Sequence, residues 1–202
     1  MRWFLALLLF IPSLAGTATN TPEPEALVRK ITSEVMEEMR TDKALAAGDK
    51  ARAVALAEEK VLPHIDFAEA TRFVMGRSWA KATPPQRERL TEEFRRLLIR
   101  TYASAFKGWS GQELEVLPVR MHPQDTEVTV RNRFRRPGAP PVMVDYAMHK
   151  TAQGWKIFDV AVEGISFLMV YRAEFAEQLR RAGIDDLIQG LAGKNAAPTT
   201  AR

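Results

Sequence analysis

Few residues in this sequence are of a type and spacing suited to chemistry. His64, His122 and His149 are scattered, with no carboxylate or second histidine at ligand spacing, so no metal centre is expected. The stretch GWSG, residues 108–111, has the outline of a nucleophile elbow, in which a strained strand-to-helix turn presents a serine. That motif needs G-x-S-x-G, whereas Gly111 comes one residue early and the segment follows a helical pattern and precedes a strand. It reads as a helix-ending loop. The chain contains no cysteine, which removes thiolate chemistry, disulfides and cysteine-based metal sites. No Walker or dinucleotide glycine pattern is present, and no cofactor is expected.

Two carboxylates remain. Asp145 and Asp159 each sit inside a strand-like stretch beside apolar or aromatic neighbours. Burial would raise either pKa and suit a general acid or base in an apolar pocket, so a small cone-shaped enzyme is one reading. In the other reading each is a structural aspartate, at an exposed edge or ion-paired, with Arg172 a candidate partner. Arginines form two groups. Arg87, Arg89, Arg95, Arg96 and Arg100 share one helical stretch, and Arg131, Arg133, Arg135 and Arg136 one strand. They suit a solvated surface, an anionic membrane or an acidic partner. Nucleic acid is not expected, because the net charge is only +4 and no aromatics interleave with the basic strand face.

The elements that would position these groups follow from periodicity. Leu27, Val28, Ile31 and Val35 recur at helical spacing. A second helix is predicted from Asp49 to Leu62, ended by Pro63, and a short third in DFAEATRFVMG, stopped by Gly76. The longest starts at TPPQ, where Thr83 caps, Pro84 takes the first helical position and Gln86 completes a capping box. The period then changes to two. Residues 113–121, 126–136, 142–150 and 155–163 read as four strands joined by the turn-rich HPQD, PGAPP and TAQG. Short connections imply an antiparallel meander. Two helices finish the chain, Ser166–Ala182 and Asp185–Leu191, with Gly183 between them. The fold class is α+β, a four-stranded antiparallel sheet wrapped by N- and C-terminal helices.

One stretch carries more apolar surface than this layout needs. In GWKIFDVAVEGISFLMVYRAEF (154–175) apolar side chains occupy both faces of the strand, and then most of the following helix. An amphipathic sheet wrapped by helices can leave a hollow between the layers, where such a surplus would discharge. Left empty, a hollow costs roughly 24 cal/mol per Å³. Filled by an acyl chain, it gains about 0.8 kcal/mol per buried CH₂.

The N-terminus reads as an export signal over residues 1–18. Met1-Arg2 is basic, and Trp3–Ile11 is an apolar run too short for the roughly 20 residues of a membrane span. Pro12 breaks it, and cleavage fits after Ala15 or Ala18. Residues 19–192 are expected to form a single domain, and 193–202 a disordered tail.

With these elements in place the sequence resembles the MlaC family, also called the toluene-tolerance or Ttg2 family. The resemblance covers roughly residues 25–192. It is carried by Asp66-Phe67 with Gly76 and Trp79 after it, by TYASAF (101–106), and by GWKIFDVAVEGIS with the following YRAEF. Val170 stands where relatives commonly have Asn, and Trp109 replaces a usual Tyr. The resemblance implies a soluble monomer in the periplasm of a Gram-negative bacterium. Its cargo would be phospholipid, passed between an outer-membrane lipoprotein–porin complex and an inner-membrane ABC transporter with its MCE-domain protein. That traffic would maintain outer-membrane lipid asymmetry, with no catalytic signature to transfer. Taken with the amphipathic faces, it places lipid contacts at Phe73, Trp79, Leu98, Tyr102, Phe106, Val128, Val130, Val144, Tyr146, Ile157, Val160, Ile165, Phe167, Leu168 and Tyr171.

Overall fold

The structure is a computed structural model that describes residues 24–102, 113–135 and 138–197. Helix α1 (Pro24–Thr41) buries Leu27, Val28, Ile31, Val35 and Met39, the stripe read from the sequence with one further turn. A single turn, α2 (Lys43–Ala46), was not expected. The Asp42 carboxylate nucleates it by accepting from the amides of Ala44 and Leu45, a local cap that leaves no periodic signature. Helix α3 (Lys50–Lys60) is capped in the same way by Asp49, and α4 (Phe67–Met75) by Asp66. Helix α4 ends at Gly76, whose φ of 52° favours a residue without a Cβ. Helix α5 (Pro84–Tyr102) begins with the expected capping box: Gln86 Oε1 accepts from the Thr83 amide at 3.0 Å.

Among the described residues five strands form one antiparallel meander in sequence order: β1 (Glu113–Val116), β2 (Glu127–Arg135), β3 (Val142–Thr151), β4 (Gly154–Val162) and β5 (Ile165–Ser166). The expected count was four. The difference is β5, where Ile165 and Ser166 pair with Val162 and Ala161 before the last helix starts. Glu163 and Gly164, with φ of 50° and 78°, supply the two left-handed residues that a two-residue hairpin turn requires. Strand β1 is also shorter than expected and stops at Val116. Helix α6 (Phe167–Ala196) is interrupted at Gly183, the anticipated stop, where φ is 86° and ψ −172°. Its second half runs on to Ala196, into the stretch expected to be a tail.

A bulge in β4 explains why that strand looks apolar on both faces. Met148 of β3 pairs with Ile157, but the next pair is Ala147 with Asp159, so Phe158 is an extra residue. Trp155 and Ile157 before the bulge share a sheet face with Val160 and Val162 after it. A strict alternation would have assigned them to opposite faces.

Among the described residues packing produces two cores. Helices α4, α5 and α6 make one, with Val74, Leu90, Phe94, Leu168, Phe175 and Leu187 at its centre. Phe94 meets Tyr171 and Phe175 edge-on, each with ring centroids 5.2 Å apart. Helices α1 and α3 make the other with one face of the sheet, through Val28, Ile31, Leu56, Val130, Met148, Trp155 and Ile157. Among the described residues no helix is long and apolar enough to cross a membrane.

Candidate functional site

The two cores do not close on each other. Between them lies a cavity of about 280 Å³, walled by α1, α3, α4, α5, the start of α6 and the far end of the sheet. Strand β4 shows where the packing gives out. Trp155 and Ile157 are buried, yet every residue from Phe158 to Val162 remains half-buried. Of these, Phe158, Asp159, Val160 and Val162 line the cavity, as do Leu98, Ile99, Tyr102, Phe167 and Leu168. The volume is nearly twice the roughly 150 Å³ of an engineered apolar cavity that stays dry and takes up benzene.

Among the described residues the polar groups on the wall are few: the hydroxyls of Thr32, Tyr102 and Tyr146, and the carboxylate of Asp159. The Thr32 hydroxyl donates to the Val28 carbonyl at 2.8 Å. Burial pushes the Tyr146 hydroxyl up to about 12. Burial, reinforced by the neighbouring Tyr171 hydroxyl, pushes Tyr102 to about 12 as well. Both phenols are therefore neutral near pH 7. Tyr102 lies flat against Phe167, ring centroids 4.0 Å apart and planes 4° from parallel, so α5 and α6 close one end of the cavity with stacked rings.

Asp159 is a structural carboxylate. Its Oδ1 accepts from the Val160 amide at 2.8 Å and the Leu168 amide at 3.2 Å, and its Oδ2 from the Ser166 hydroxyl at 2.5 Å. Ser166 in turn caps α6 by accepting from the Met169 amide at 3.0 Å. The proposed pairing of Asp159 with Arg172 is not made; that guanidinium lies over the Phe73 ring at 4.9 Å instead. Asp159→Ala removes the fastening between β4 and α6 and is expected to cost about 2 kcal/mol in urea unfolding, the usual scale for a cap plus a buried hydrogen bond. An unchanged midpoint would show that the carboxylate fastens nothing.

The other chemical candidates are dispersed. Asp145 is absent from the wall, and its Oδ1 is buried without a hydrogen-bond partner among the described residues. His149 has no carboxylate at ligand spacing in the sequence, yet its Nε2 lies 3.0 Å from Asp66 Oδ2 in the fold. Sequence spacing could not show this, because the two residues are 83 positions apart. The pair ties β3 to the cap of α4 and lies outside the cavity wall. Burial beside Lys156 and Lys30 holds His64 below the usual imidazole range. Among the described residues no three of His, Asp and Glu come close enough to hold a metal. Ser110 lies outside the described residues.

Of the fifteen expected lipid contacts, the structure places Leu98, Tyr102, Val144, Tyr146, Ile157, Val160, Phe167 and Leu168 on the cavity wall. Phe73, Trp79 and Tyr171 pack with the core of α4, α5 and α6 instead. Val128 and Val130 belong to the core under α1, because that end of β2 is covered by helix. Ile165 is 64 % exposed, since the β4–β5 turn points it outward; Met169 and Val170 are exposed beside it. Phe106 lies outside the described residues. Sequence reading missed the contribution of α1, where Val28, Ile31, Val35, Met36 and Met39 line the cavity, and of Phe67 and Ile99. The α1 stripe looks like an ordinary core stripe. Only its extension through Met36 and Met39, beyond what one layer of packing needs, could have signalled a second partner.

The sequence profile of the family described as "MlaC protein" matches residues 29–193. The "Intermembrane phospholipid transport system binding protein MlaC" of Haemophilus influenzae is 21 % identical over 192 residues, covering 93 % of this chain and 90 % of that protein. "Toluene tolerance protein ttg2D" of Pseudomonas putida is 26 % identical over 197 residues, covering 96 % and 89 %. Among solved structures, the phospholipid-binding protein of Ralstonia solanacearum in complex with a phospholipid is similar at a TM-score of 0.77 and 34 % identity, covering 85 % of this chain and 96 % of that one.

Proposed function

Because the chain belongs to the MlaC family, we propose that it is a non-enzymatic carrier of phospholipid, holding the acyl chains in the cavity between its two cores. One observation carries this reading: the half-buried apolar end of β4 faces a cavity of about 280 Å³ instead of packed side chains. Left open, its apolar wall would stand against water, which is unfavourable. Hydrocarbon covers that wall, and the nearly uniform lining places no polar demand on it. Methylenes leaving a bilayer were already dry, so exchange lies near balance, as a carrier requires. The names of the similar proteins support the same cargo.

In this reading residues 1–18 direct export and the carrier works in the periplasm. It moves lipid between an outer-membrane lipoprotein–porin complex and an inner-membrane ABC transporter with its MCE-domain protein, maintaining lipid asymmetry of the outer membrane. The test is transfer of fluorescent phosphatidylglycerol from donor to acceptor vesicles kept apart by a filter. Transfer should rise in proportion to protein concentration, with the lipid recovered chemically unchanged. Hydrolysed lipid would sink the carrier in favour of an enzyme, and the absence of both transfer and hydrolysis would sink both.

A further inference from the structure

Helix α5 carries five arginines, and four of them are occupied. Arg87 donates to the carbonyl of Trp79 at 3.1 Å and to that of Ala80 at 3.3 Å. Arg89 pairs with Glu92 and Glu93, and so does Arg96. Arg100 donates to the carbonyls of Lys194 and Asn195 at the end of α6. Arg95 alone among them makes neither an ion pair nor a hydrogen bond within the described residues. Its guanidinium carbon lies 5.7 Å from the centroid of the Phe67 ring, and that ring is part of the cavity wall.

Placement along the helix strengthens the point. Leu98, Ile99 and Tyr102 follow Arg95 at i+3, i+4 and i+7, which is one face of a helix, and all three line the cavity. Arg95 is half-buried, so it touches both the wall and water. A cation over an aromatic face is held there only weakly, and its remaining N–H groups stay free to donate. Nearby acids do not claim it. Glu92 is engaged by Arg89 and Arg96, and Asp66, next to Phe67, accepts from the Glu69 amide and pairs with His149.

The geometry points to Arg95 as a binding residue for the phosphodiester of a phospholipid whose tails occupy the cavity. This inference rests on the carrier reading. An unpaired guanidinium at the edge of an apolar wall matches an amphiphile with an anionic group where its hydrocarbon ends. Its planar fork can meet two phosphate oxygens at once, which a lysine cannot.

The test compares two lipids with identical tails, phosphatidylglycerol and diacylglycerol, loaded onto full-length mature protein and quantified by native mass spectrometry. Wild type should favour phosphatidylglycerol by roughly ten-fold or more. Arg95→Gln should erase that preference while leaving diacylglycerol uptake and the melting temperature unchanged, and Arg95→Lys should restore only part of it. Inorganic phosphate at millimolar concentration should leave phosphatidylglycerol loading of the wild type unaltered; displacement would reassign Arg95 to free phosphate. An undiminished preference in Arg95→Gln overturns the assignment and spares the carrier. Equal loss of both lipids in Arg95→Gln makes Arg95 a wall residue and also overturns it. Wild type that takes up neither lipid fails the carrier reading itself.

Discussion

Val160→Glu is expected to yield a folded protein whose phospholipid occupancy falls below about one hundredth of wild type. Val160 is only half-buried and faces the cavity, so a carboxylate there can be hydrated while the cavity is empty and the fold survives. Acyl chains can enter only by stripping that hydration, and an unpaired carboxylate in hydrocarbon costs several kcal/mol, which is more than a hundred-fold in affinity. Acid should reverse the defect. Hydrocarbon raises the carboxyl pKa, so occupancy should recover as pH falls below about 5, where the neutral form prevails. Phe167→Glu should behave similarly and additionally lose the stack on Tyr102. Val160→Leu should bind normally. The measurement is lipid per protein by native mass spectrometry, with circular dichroism as the check on folding. Full occupancy in both glutamate variants would mean that the hydrocarbon lies elsewhere.

The largest effect on stability is expected at the opposite end of the same helix. Glu93 is 1 % exposed on α5, and its carboxylate accepts from Asn195 Nδ2 at 2.7 Å while Arg89 approaches to 2.8 Å. Asn195 Nδ2 also donates to the Glu93 carbonyl at 2.9 Å. Arg100 caps two carbonyls at the same end of α6, and Lys194 reaches Glu174. Lys194, by its carbonyl, and Asn195 therefore latch α6 onto the helix that walls the cavity. Glu93→Ala removes a buried carboxylate, strands the half-buried Asn195 amide and leaves a void, and is expected to cost about 3–5 kcal/mol. Glu93→Gln keeps the shape and should cost less, about 1–2 kcal/mol. Deleting residues 193–202 should cost about 2–4 kcal/mol. Urea unfolding of the two changes, alone and combined, is the check. If Glu93 acts through the latch, its substitution should cost much less in the shortened chain. Strict additivity would separate the two.

This latch was the least legible part of the sequence. GKNAAPTTAR reads as low complexity, and nothing local reveals that Asn195 meets a glutamate 102 positions earlier. Local signals did carry far. Thr83 with Gln86, Asp49, Gly76 and Gly183 each mark a helix end where the structure has one, because caps and left-handed residues act within a few positions. Alternation holds in β2, where Val130, Asn132 and Phe134 are buried while Arg131 and Arg135 are exposed. Alternation failed in β4, where Phe158 is bulged and the inward parity changes between Ile157 and Val160. The same bulge turns Asp159 toward Ser166 and the start of α6, which converts an apparent catalytic candidate into a fastening. The surplus of apolar residues in 154–175 correctly signalled a hollow. Its composition could not say which aromatics face the hollow and which seal the core behind it. Phe73 and Tyr171 seal, while Phe167 and Tyr102 face inward, a division set by how α4, α5 and α6 pack.

The gap between the two cores is most directly tested on protein purified from a Gram-negative periplasm without added lipid, its mass recorded under native and then denaturing conditions. The native mass should exceed that of the polypeptide by a whole phospholipid, released intact on denaturation and lost in Val160→Glu. A native mass equal to the bare chain, from a folded protein that also takes up no lipid from vesicles, would contradict it.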